Sequence, residues 1–195
     1  RLGGGMQDNG TCVGPAYVWQ DGGIRNAHWL EIFFGDGFDV AFRPDDQRYA
    51  YAMSQGGNLG LVDIETGKTK YIRPVHPEGA PLRFNWNAAF AQDPFAPCTI
   101  YYGSQYVHKS TDCGDSWTII SPDLTTNDST KQQQHKSGGL TIDDTQAENH
   151  TTILAIAPSP VDNSILWVGT DDGNLQLTRD GGATWTNLAD RLPGV

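Results

Sequence analysis

Three stretches of the chain repeat one order of apolar and polar positions. The first opens with Gly37-Phe38-Asp39-Val40-Ala41-Phe42, turns at Arg43-Pro44-Asp45-Asp46 and continues as Tyr49-Ala50-Tyr51-Ala52. It then crosses Ser54-Gln55-Gly56-Gly57-Asn58 into Leu59-Gly60-Leu61-Val62. The second runs Trp86-Asn87-Ala88-Ala89-Phe90, Asp93-Pro94, Thr99-Ile100-Tyr101-Tyr102, Gly103-Ser104-Gln105 and Tyr106-Val107-His108-Lys109. The third runs Thr152-Ile153-Leu154-Ala155-Ile156-Ala157, Pro158-Ser159-Pro160, Ile165-Leu166-Trp167-Val168, Thr170-Asp171-Asp172-Gly173-Asn174 and Leu175-Gln176-Leu177-Thr178. Short apolar or alternating runs bounded by Gly, Pro, Asp and Asn predict strands joined by tight turns.

Four-stranded units recurring every 40–50 residues or so predict an all-β chain of β-propeller blades. Pro44, Pro94 and Pro160 mark the same turn at spacings of 50 and 66. The longer spacing carries an insertion over 121–150, expected as a loop on the top face, the end shared by the second-to-third turns and the connections into each first strand. The expected organisation is the end of a blade over 1–20, blades over 36–74, 84–120 and 151–190, and the inserted loop. These make about three and a half blades, whereas closed propellers have about four to eight. The chain is therefore expected to be part of a larger propeller, of roughly seven to ten blades, completed by the same longer polypeptide or by another chain. It begins Arg1-Leu2-Gly3, without Met or a signal peptide, and is expected to be processed or cut from something longer.

Composition narrows the function classes. The 195 residues include 23 Asp+Glu against 13 Lys+Arg, a formal charge of −10. An acidic chain without a basic patch is not expected to bind nucleic acid. No apolar run is long enough for a membrane span, and 6 Trp, 7 Tyr and 7 Phe argue against disorder.

Two of the repeats end alike. Ser110-Thr111-Asp112-Cys113-Gly114-Asp115-Ser116-Trp117 and Thr178-Arg179-Asp180-Gly181-Gly182-Ala183-Thr184-Trp185 share Ser/Thr-x-Asp-x-Gly-x-(Ser/Thr)-Trp, 68 residues apart. The pattern resembles the Asp-box of bacterial-neuraminidase-type repeats. With Gly169-Thr170-Asp171-Asp172-Gly173, the chain is similar to sortilin-like propellers, in particular secreted bacterial ones often labelled glycosyl hydrolases because family 74 xyloglucanases share the repeat. Asp112, Gly114 and Trp117, with Asp180, Gly182 and Trp185, are expected to be structural: Asp caps backbone N–H groups, Gly takes positive φ and Trp fills the apolar layer. The first repeat has the plainer turn Asp63-Ile64-Glu65-Thr66-Gly67-Lys68 instead.

In such blades these turns lie on the face opposite the top. The top face is expected to receive the connections 22–36, 74–87 and 121–150, with the turns holding Asp8, Gln55, Gln105 and Asp171-Asp172. Gly35-Asp36-Gly37-Phe38 resembles the Gly-Asp-x-Gly-Phe stretch that carries a catalytic Asp in family 74 xyloglucanases, one residue short. Inverting hydrolysis needs two carboxyls about 6.5–9.5 Å apart, so Asp36 would act with Asp8, with Glu148 or with a residue of another blade. The alternative is that Asp36 only caps a turn. Arg83, Asn85, Trp86, Asn87, Trp29 and His150 are candidates for holding a glycan or peptide, aromatic faces stacking while amides and guanidinium meet polar edges. Trp86 serves equally well as inner-strand core.

No His/Cys pattern has zinc spacing, and no cofactor is implied. Asp143-Asp144 with Asp171-Asp172 would hold Ca²⁺ only if they converge, and are otherwise solvated. Neither a phosphate loop nor a nucleophile elbow is present. Cys98 and Cys113 flank one hairpin and are expected to pair, leaving Cys12. Sequons at Asn9, Asn127 and Asn149, with the disulfide, lean toward an exported protein. Three functions remain: a binding propeller module, a glycoside hydrolase, and a structural component whose open edges pair with another chain.

Overall fold

The computed structural model describes residues 1–136 and 149–192. Every sheet in it is an antiparallel meander, and the described residues contain no α-helix, only short 3₁₀ turns. None of the helical segments is long and apolar enough to cross a membrane. The chain divides into two compact units, Arg1–Arg73 and Pro74–Val195.

The first unit holds two sheets. β1 (Leu2–Met6), β2 (Gly10–Gly14) and β3 (Leu30–Phe33) form a three-stranded sheet in that order. β4 (Gly37–Phe42), β5 (Tyr49–Ser54), β6 (Asn58–Asp63) and β7 (Lys68–Tyr71) form a four-stranded one. β3 lies inside the stretch expected to be a connection. Its alternation Leu30-Glu31-Ile32-Phe33 suits a half-buried strand, and Phe33 packs with Ala52 and Val62. Gly60 makes room for that ring, because a Cβ there would lie 2.6 Å from Phe33 Cε2. The two sheets meet almost backbone to backbone: a Cβ on Gly5 would fall 2.1 Å from the Gly37 carbonyl carbon.

The second unit holds β8 (Phe90–Gln92), β9 (Ile100–Gly103), β10 (Val107–Ser110) and β11 (Thr118–Ile119), then β12 (Ile153–Pro158), β13 (Leu166–Thr170), β14 (Leu175–Thr178) and β15 (Thr186–Asn187). Each set of four pairs in simple succession. Between them lies a core of Ala89, Tyr101, Val107, Leu124, Ile153, Ile156, Leu166 and Val168. Ile153 sits over Gly103, where a Cβ would meet its Cγ2 at 2.7 Å. Truncating such a buried aliphatic side chain costs about 2–5 kcal/mol.

These are propeller blades. Three sheets carry the full four-strand meander, and β1–β3 correspond to the second, third and fourth strands of the others.

The repeated turn makes the same set of side-chain hydrogen bonds in its two copies. Asp112 Oδ1 accepts from the Ser116 N–H at 2.9 Å and Oδ2 from its hydroxyl at 2.6 Å, while Asp180 accepts from Thr184 at the same two distances. The Ser110 and Thr178 hydroxyls each donate to their Asp and accept the N–H of Gly114 or Gly182. Bonds from Ser116 and Thr184, then Ser110 and Thr178, hold both carboxyls down at about 2. Trp185 donates its indole N–H to the Ile120 and Gly182 carbonyls and packs on the core, and Trp117 lies 6.4 Å from both Tyr102 and His108. Cys98 and Cys113 are joined by a disulfide at the open end of the β9–β10 hairpin.

Candidate functional site

In each unit, polar side chains gather at the end of the sheets where the second-to-third turns lie. The reason is one device used three times. A side-chain oxygen from that turn captures a backbone N–H of the connection entering a first strand. Gln55 Oε1 accepts from the Asp36 N–H at 2.7 Å, Gln105 Oε1 from Arg83 at 2.8 Å, and Asp171 Oδ1 from Thr152 at 2.9 Å. A connection buckled this way satisfies its own backbone groups and holds the chain at a defined entry point.

In the first unit the buckle brings Asp36 to the turn holding Asp8. Asp36 Oδ1 accepts the Asp8 N–H at 2.8 Å, and Asp8 itself has φ 63°. The flanking Gly35 has φ 113°, where any side chain is strained, and its carbonyl accepts the Gly10 N–H at 2.9 Å. This geometry gives Asp36 a turn-capping role.

Trp29 is elsewhere. Leu30 pairs with Val13 and Phe33 with Thr11, so Trp29 precedes β3 at the end of the sheet away from Asp8 and Asp36. Its ring lies over Gly14, where a Cβ would meet it at 2.9 Å. The expected top-face position for Trp29 is thus replaced by one at the opposite end, because β3 turns the chain around.

In the second unit Arg83, Asn85 and His150 do come together. The half-buried Arg83 guanidinium pairs with Asp123 at 2.8 Å and donates to the Thr151 carbonyl at 3.1 Å and the Thr125 hydroxyl at 3.3 Å. Asn85 donates to the Thr152 hydroxyl at 3.0 Å and to Asp171 Oδ2 at 3.3 Å. Its own Oδ1 accepts the Asn87 N–H at 3.2 Å. His150 Nδ1 accepts the Thr151 N–H at 2.7 Å and lies 3.3 Å from Asp171, an ion pair only when the ring carries both protons. Asn149 donates to the Phe84 carbonyl at 2.8 Å, and Asp172 takes the Thr126 N–H and hydroxyl at 2.7 and 2.8 Å. The start of the insertion is thereby tied to the 170–174 turn.

Arg83 and Asn85 therefore face inward, onto the loops. Trp86 is partly buried in a turn and Asn87 is exposed, so these two stand at the surface of the braced set. Glu148 lies outside the described residues, as do Asp143 and Asp144. Among the described residues no group of three or more His, Cys, Asp or Glu converges as a metal would need. Asp123 and Thr151, which complete the Arg83 network, went unread in the sequence; the Ser121-Pro122-Asp123 step, one residue past β11, is the signal for the first. Tyr17 and Trp19 were also unread. They stand 70% and 93% exposed with ring centroids 5.9 Å apart.

No protein-family model matches the chain, and no curated protein matches it. Solved structures do. A family 74 xyloglucanase from Xanthomonas campestris matches 80% of this chain and 23% of its own at 15% identity, TM-score 0.48. A family 74 enzyme from Niastella koreensis matches 96% and 30% at 18% identity, TM-score 0.49. YCF48 bound to D1 peptide matches 78% and 39% at 18% identity, TM-score 0.46. The chain thus spans less than half the length of each of these proteins.

Proposed function

We propose that the chain is part of an exported, larger propeller that binds a glycan or a peptide on the top face of its second unit. The observation that carries this is the braced network Arg83–Asp123, Arg83–Thr151, Asn85–Thr152 and Thr152–Asp171, which fixes three loops without using Trp86 or Asn87. A rigid scaffold with an aromatic ring and an amide that has no side-chain bond among the described residues lowers the ordering cost of binding. Ring faces stack on pyranoses or side chains, and amides meet hydroxyls or peptide groups. The Cys98–Cys113 disulfide supports an oxidising compartment.

Glycan and peptide arrays test this reading. Binding that falls at least tenfold in Trp86→Ala and Asn87→Ala, with unchanged folding, supports it; hits indifferent to both substitutions overturn the assignment of the face.

Glycoside hydrolysis is the second reading, supported by Asp36 and Asp8 sharing one end of the first unit. Xyloglucan assayed for reducing-end release decides it: release abolished by Asp36→Asn supports catalysis, and release unaffected by that change removes Asp36 from the reaction.

A further inference from the structure

The connection entering β12 holds a residue in a backbone conformation that its side chain disfavours. Among the described residues four non-glycines have positive φ, and Thr151, at 58°, is the β-branched one. A branched Cβ is strained in the left-handed region, and such strain persists only where surrounding contacts hold it, often in segments that switch. The fold does not itself ask for threonine here. In the first unit the residue before the captured N–H is Gly35, which takes φ 113° without a side chain to strain.

Thr151 is fully buried, and contacts from three segments grip it. Its N–H donates to His150 Nδ1 at 2.7 Å, and its hydroxyl donates to the His150 carbonyl at 2.6 Å. Gln132, from the start of the insertion, donates to the same hydroxyl at 2.8 Å. The Arg83 guanidinium donates to the Thr151 carbonyl at 3.1 Å. The strained residue thus ties its own connection to the insertion and to the segment carrying Trp86 and Asn87.

The first of these bonds depends on one proton. It needs a lone pair on Nδ1, and an imidazolium, donating from both nitrogens, has none. Protonation sets two donors 2.7 Å apart, while Asp171 Oδ1 lies 3.3 Å from the same ring nitrogen. The ring then gains a carboxylate acceptor and the buried Thr151 N–H loses its own, at the cost of an unpaired donor. Among the described residues the charged groups around this ring come from three segments. They are Asp171 and Asp172 of the 170–174 turn, Asp128 and Lys131 of the insertion, and Arg83 with its partner Asp123. Asp171 is the one in ion-pair contact with the ring.

We propose that His150 is a proton-operated latch on the top face of the second unit. With Nδ1 unprotonated, it holds Thr151 in the left-handed region, and the connection keeps its grip on Gln132 and Arg83. With Nδ1 protonated, the ring turns to Asp171, Thr151 relaxes to extended backbone, and both grips are released. Histidine changes charge between about pH 5 and 8, which sets the window. What the latch means for a ligand rests on the reading of this face as a binding surface; the latch itself does not.

Amide hydrogen exchange, followed by NMR on the full 195-residue chain without ligand, tests it. The Gly103 amide, bonded to the Ala89 carbonyl, reports global unfolding. Protection of the Thr151 amide relative to that of Gly103 should fall at least tenfold between pH 7.5 and 5.5, in step with titration of the His150 ring. In His150→Asn an amide oxygen accepts at every pH, so the protection should survive in acid. His150→Ala should lack it already at pH 7.5. Circular dichroism checks the fold of both variants, and the wild-type titration decides if either misfolds. A relative protection that does not change with pH, or that falls equally in His150→Asn, would overturn the latch.

Discussion

His108 is a titratable group that the fold holds neutral. It is fully buried, with Nε2 2.8 Å from the Ser104 hydroxyl and its ring stacked near Phe84. Among the described residues Nδ1 has no hydrogen-bond partner. Burial, then the nearby His76, lowers its pKa to about 4. In the unfolded chain the ring takes its proton near the ordinary value of about 6.5. Between these values the unfolded state binds more protons, so stability rises with pH and is lost as pH falls from about 6.5 to 4. The loss across that window should be roughly 3 kcal/mol, read from urea midpoints at successive pH values. His108→Gln should flatten the slope; an unchanged slope would mean another group titrates there. Asp112 and Asp180 act lower. Their folded pKa values of about 2 lie below the unfolded carboxylate value of about 3.9, so their contribution is present above that value and lost only as pH falls toward 2.

At the level of elements, strands punctuated by Pro-Asp and Gly-rich turns were legible from their alternation, as β4–β6, β9–β10 and β12–β14 show. β3 was not, because Leu30-Glu31-Ile32-Phe33 follows a long irregular stretch with no repeated turn to announce it. The polar residues of the top-face loops were equally visible as residue types. Their direction was not: whether Arg83 reaches a ligand or Asp123 depends on a contact across 40 positions of chain. The disulfide hairpin offers a prediction at this scale. Removing a bridge that closes about 15 residues should cost around 3 kcal/mol. Cys113, however, has φ 59° where the matching turn has Gly181 at 71°. Cys98→Ser with Cys113→Gly should therefore melt higher than Cys98→Ser with Cys113→Ser, by about 1 kcal/mol of relieved backbone strain; thermal unfolding of the two double variants compares them directly.

For the whole molecule the governing quantity is charge. A formal −10 at neutral pH, with a pI near 4.7, keeps the chain away from polyanions and from copies of itself. It should pass unretained through a heparin column at 50 mM salt and bind an anion exchanger. Light scattering should be greatest close to pH 4.7, where self-repulsion vanishes. Retention on heparin would reveal a basic surface that the composition hides.

The twin turns around Asp112 and Asp180 have a consequence for how such a chain comes into being. Their shaping side-chain bonds to backbone and hydroxyl run between residues no more than four apart. A corner made this way closes early, on the timescale of a single hairpin, without consulting the rest of the polypeptide. Lengthening the array by a whole sheet then asks nothing new of any existing corner. Growth by duplication needs only a fresh surface for the added sheet to lean on, and each copy arrives with its own means of turning back.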